Sequence, residues 1–80
     1  MTAPALDPIK KALQQEYGTG SMVAACAKDI QDHWEDWEKV ADEDRDLPYL
    51  LHMRIWNWFA GGGTAEIAAE KVLNAVGYEQ

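Results

Sequence analysis

"DHWEDWEKVADEDRD", residues 32–46, sets eight carboxylates beside two tryptophans, with only Lys39 and Arg45 to balance the charge. Large aromatic rings favour burial and carboxylates favour water, so the two kinds of residue must face opposite ways. Extended upstream, the apolar positions are Val23, Ala27, Ile30, Trp34, Trp37 and Ala41. Steps alternating between four and three residues average near the helical repeat and put all six on one face. Asp29, Asp32, His33, Asp36 and Glu43 fall on the other side. The stretch therefore reads as the end of a long amphipathic helix, tryptophans inward and an acidic ridge outward.

Turn signals divide the rest of the chain around this helix. Upstream, Asp7 is a suitable N-cap and Pro8 suits a first turn. Ile9, Ala12, Leu13 and Tyr17 make one stripe, and Gly18 is a natural stop. Ser21 is the candidate cap of the long helix. Downstream, "DEDRDLP" breaks the pattern and Asp46 can cap a third helix, "LPYLLHMRIWNWFA". That helix carries two apolar stripes, Leu47, Leu51, Ile55 and Trp58, and Tyr49, Met53, Trp56 and Ala60. After "GGG" at 61–63, Thr64 is the candidate cap of a fourth helix bearing Ala65, Ala69, Val72 and Val76, with Ile67, Ala68 and Leu73 beside them. Gly77 followed by Tyr78 reads as its Schellman stop, with Tyr78 placed to pack on Leu73. No segment alternates as a strand would. The expectation is an all-α fold: one domain over 1–80, a compact bundle of about four helices at roughly 8–17, 22–42, 47–60 and 65–76.

Eighty residues bury a smaller share of their surface than a large domain does. Cys26 is the only cysteine, so no disulfide closes within the chain, and a second copy is the first stabiliser to expect. Trp56 and Trp58 lie about 200° apart around a helix, too far for both to share one core face. Tyr49, Met53 and Trp56 are accordingly the expected homodimer interface. The net charge of −7 argues against direct binding of nucleic acid or of an anionic membrane, and points to a basic partner. Nine acids between residues 29 and 46 against Lys39 and Arg45 already account for that whole charge. No stretch is apolar enough to span a bilayer, the first 20 residues lack the apolar core of a signal peptide, and an unpaired cysteine fits a reducing compartment, so the expected location is cytoplasmic.

No catalytic or cofactor signature is present. "GGG" lacks a phosphate-loop lysine, and neither HExxH nor Cys-x-x-Cys occurs. Cys26, Asp29 and His33 share a helical flank, but a lone cysteine in "VAACAKDI" reads as a small buried hydrophobe and His33 as part of a solvated face. No catalytic residue, metal or cofactor is expected. The acidic ridge has two readings, a solubilising face or a docking face. For the second the candidate partner-binding residues are Asp29, Asp32, Asp36, Glu43 and Asp44.

The tail "IWNWFAGGGTAEIAAEKVLNAVGY" slightly resembles the end of Cro/repressor-type helix-turn-helix domains, over under a third of the chain. That resemblance would imply a DNA-binding regulator, but the segment that would then read DNA is apolar and follows "ADEDRD", which phosphates repel. In size, acidity and lack of enzymatic motifs the chain is similar to small phage-encoded inhibitors, the anti-CRISPR and host-takeover types. This likeness implies a non-enzymatic inhibitor or modulator docking an acidic helix on a nucleic-acid-handling partner, in a host cytoplasm. The other expectation is a structural or assembly protein that forms a helical homodimer.

Overall fold

A computed structural model describes residues 3–61 and 63–78. The chain forms α1 (Leu6–Tyr17), α2 (Ser21–Val40), α3 (Leu47–Phe59) and α4 (Gly63–Ala75), with no strand among the described residues. The helices close a ring in which α1 and α3 each pack against both α2 and α4. The radius of gyration is 11.4 Å, close to the roughly 12 Å of a compact chain this long.

α2 buries Val23, Cys26, Ala27, Ile30, Trp34 and Trp37, so the tryptophans do face inward. Ile9, Ala12 and Leu13 of α1, and Leu47, Leu51 and Ile55 of α3, meet them in one core. α4 contributes mainly small side chains, Ala65, Ala68 and Ala69, with Val72 and Leu73. Such a face lets a helix approach its neighbours closely. Every buried side chain among the described residues is apolar. At the rim the rings of Tyr17 and Phe59 stack at 4.0 Å, joining the ends of α1 and α3. Lys71 and Glu16 pair at 2.6 Å, joining α4 to α1.

The helix ends follow the expected chemistry in part. The Asp46 carboxylate accepts from the Tyr49 amide at 2.9 Å, capping α3 with Pro48 in its first turn. Tyr78 N–H donates to the Leu73 carbonyl at 3.0 Å and Gly77 N–H to that of Asn74 at 3.2 Å. With Gly77 at φ 73°, this is the Schellman pattern. The Tyr78 ring meets Trp34 edge-on. Three expected caps are displaced. α1 begins at Leu6 with Ala5 as its N-cap, so Asp7 sits in the first turn, where its charge still meets the positive end of the helix. Gly20 caps α2 in place of Ser21, and α4 starts at Gly63, which puts Thr64 inside it. None of these shifts exceeds two residues, because a proline or a short polar residue is tolerated throughout a first turn whose amides have no helical partner.

Candidate docking surface

The acids of α2 and the following loop separate into two groups. One group is engaged inside the protein. Asp29 is the clearest member, with a side chain only 18% exposed. Its Oδ2 accepts from the Trp58 indole N–H at 2.7 Å and from the Arg54 guanidinium at 3.4 Å. His33 Nδ1 lies 3.0 Å from Asp29 Oδ1 and 2.8 Å from the Asp29 carbonyl oxygen. Both of those neighbours are acceptors, so Nδ1 carries the proton. Arg54 also stands 5.8 Å over the Trp37 ring. These contacts tie α2 to α3 along the most loosely packed side of the ring. Asp29 was expected on the outward ridge; α3 covers that flank of α2 and turns Asp29 into a strut.

Asp42 and Asp46 are exposed, but their carboxylates are likewise held by hydrogen bonds within the chain. The Asp42 carboxylate accepts from the amides of Asp44 and Arg45 at 2.9 and 2.8 Å, folding the α2–α3 loop around itself. Asp46 caps α3. Glu38 is half-buried and its Oε1 has no hydrogen-bond partner, which sets it apart from the exposed ridge.

The second group is exposed: Asp32, Glu35, Asp36, Glu43 and Asp44. Asp32 pairs with Lys28 at 2.9 Å across one helical turn. No side-chain hydrogen bond or ion pair holds the carboxylates of the other four among the described residues. Asp32 and Asp36 thus sit on the outer face of α2 as the pattern predicts, whereas α2 ends at Val40, so Glu43 joins Asp44 in the exposed loop rather than continuing the helical ridge. Glu35, beside Asp36, belongs with them although it falls outside the regular spacing of the ridge.

The two apolar stripes of α3 have different fates. Leu47, Leu51 and Ile55 are core, and Trp58 is half-buried against it. The other stripe is open: Tyr49, Met53 and Trp56 are 41%, 37% and 44% exposed. Alongside it, α3 and α4 enclose an open groove of about 370 Å³, lined by Pro48, Tyr49 and His52 on one side and Glu66, Ala69, Glu70 and Leu73 on the other. The His52 Nε2 is buried without a hydrogen-bond partner.

Cys26 is fully buried, and burial, with a smaller push from the Asp29 charge, raises its thiol to about 12; Arg54 opposes the shift. A thiol so protonated is a poor nucleophile and a poor metal ligand. Among the described residues no three His, Cys, Asp or Glu side chains are placed to hold a metal ion, and no helix is long and apolar enough to cross a membrane. Comparison with known protein families, with curated proteins and with solved structures finds no significant match.

Proposed function

We propose that this chain is a small non-enzymatic docking protein that inhibits or modulates a partner, placing the outer face of α2 and the α2–α3 loop on a basic surface of a nucleic-acid-handling protein in the cytoplasm. The observation that carries this reading is the exposure of Asp32, Asp36, Glu43 and Asp44, of which only Asp32 is in an ion pair among the described residues. Like charges along one helix and loop repel each other, and that cost is relieved when a basic surface covers them. A compact negative face can occupy a channel made for phosphates, the logic of phage-encoded inhibitors. The test compares baits: the wild-type chain against the triple variant Asp36→Lys/Glu43→Lys/Asp44→Lys. Proteins retained by the first, released by salt and absent from the second support the reading. Recovery of the same proteins by both baits contradicts it.

A second reading, self-assembly into a helical homodimer, draws on the exposure of Tyr49, Met53 and Trp56. It predicts a sedimentation mass of twice 9.0 kDa that falls to the single-chain value in Trp56→Ala.

A further inference from the structure

We infer that the groove between α3 and α4 docks a basic amphipathic segment of a partner protein, a lysine or arginine entering between Glu66 and Glu70 while the segment's apolar side lies along Tyr49, Met53 and Trp56. This inference stands on different residues from the ridge and does not depend on it.

Charge is the first argument. Glu66 and Glu70 stand one helical turn apart on α4, both exposed, and neither is in an ion pair among the described residues. No lysine or arginine lines the groove, and the one basic residue of α4, Lys71, is held by Glu16 on another side. Glu66 has a local role as well, since it lies in the first turn of α4 and meets the positive helix end. Glu70 lies beyond that turn and has no such role.

The lining supplies the rest of what a long cationic side chain needs. Pro48, Ala69 and Leu73 offer apolar surface for its methylenes. Tyr49, also in the lining, brings an aromatic ring, the kind of group that attracts a cation. His52 adds its ring to the α3 wall of the groove, although its Nε2 is buried out of reach of an incoming side chain. Tyr49, Met53 and Trp56 recur at the spacing of a helix face that receives another helix.

The same observations weigh against a second copy as the occupant. Three large side chains about two-fifths exposed offer roughly 200–300 Å², whereas a stable interface takes about 800 Å² from each partner. A second copy also carries −7, and a two-fold arrangement on this face would bring Glu66 and Glu70 towards their own duplicates. A short basic segment fits both the area and the charge.

The experiment titrates the isotope-labelled full chain with a synthetic helical leucine–arginine peptide, and with its leucine–glutamate counterpart, following backbone amide shifts. The expected result is saturable movement at Tyr49, Met53, Trp56, Glu66 and Glu70 with the arginine peptide alone. Affinity should fall about tenfold in Glu66→Gln/Glu70→Gln and fall again in Trp56→Ala. Amide spectra of each variant confirm the fold. Shifts confined to α2 and its loop, equal affinity for the glutamine double variant, or no saturation at millimolar peptide would each overturn the inference. So would a homodimer, seen by sedimentation, that the peptide does not dissociate.

Discussion

Replacing Asp29 by alanine separates a carboxylate that holds the fold from those that only face solvent. The substitution removes the acceptor of the Trp58 indole, a 2.7 Å charge-assisted bond at a site only 18% exposed. Losing such a bond costs about 1.5–3 kcal/mol. The Arg54 contact adds little, because at 3.4 Å and 34% exposure it is long and screened, worth at most about 0.5 kcal/mol. The His33 contact, 41% exposed, is discounted in the same way. The expected loss is about 2–3 kcal/mol, which in a domain this small lowers Tm by roughly 8–24 °C. Asp29→Asn keeps an acceptor for Trp58 and should cost about half as much. Asp36→Ala, whose exposed carboxylate is in no hydrogen bond or ion pair among the described residues, should stay within about 0.5 kcal/mol of wild type. Urea unfolding followed by circular dichroism measures all three. A double-mutant cycle with Trp58→Phe should return most of the loss as coupling between the two side chains. If Asp29→Ala proves no more harmful than Asp36→Ala, or the cycle shows no coupling, the strut between α2 and α3 does not exist.

Three further outcomes follow from the packing. Trp34 is 3% exposed, so Trp34→Ala should cost about 3–5 kcal/mol, read from the same unfolding curves. Ala60 ends α3 at φ 58° and ψ −156°, a conformation that suits glycine; Ala60→Gly should therefore raise stability by about 1 kcal/mol, and a loss on substitution would refute the strain. Cys26 should resist thiol reagents in the native state and react only as fast as the chain opens. Because burial raises its folded value above the ordinary 9.0, the neutral thiol contributes stability that is complete below about pH 9 and is lost as pH climbs towards 12. The effect of burial on Tyr17 acts in the same direction, and Cys26→Ala should flatten the alkaline decline in unfolding free energy.

The backbone plan was legible because each helix carries its own period and its own stop. Trp34 and Trp37 read inward from spacing alone, and Asp46 and the Gly77–Tyr78 pair read as ends because their chemistry is local. Asp29 was misplaced for the opposite reason: its spacing matches the ridge, and only the arrival of Arg54 and Trp58 from α3, at least 25 residues away in sequence, makes it internal. Of the two stripes of α3, Tyr49, Met53 and Trp56 read as the outward one and are exposed, but what flanks them depends on where α4 lies. The groove between His52, Glu66 and Glu70 depends on that same juxtaposition and has no signature along the chain. The α1 and α4 starts shifted by up to two residues because Asp7, Pro8 and Thr64 are tolerated inside a first turn as well as ahead of it.

Docking and folding draw on different carboxylates in this proposal. It is tested most directly by pairing a thermal melt with a rate of association, at low and high salt, to a protein retained by the wild-type bait. Asp36→Lys/Glu43→Lys is expected to keep or raise Tm, since it relieves repulsion along the ridge, while slowing association and flattening its dependence on salt. Unchanged association at low salt, or a melt lowered as far as that of Asp29→Ala, would contradict the division.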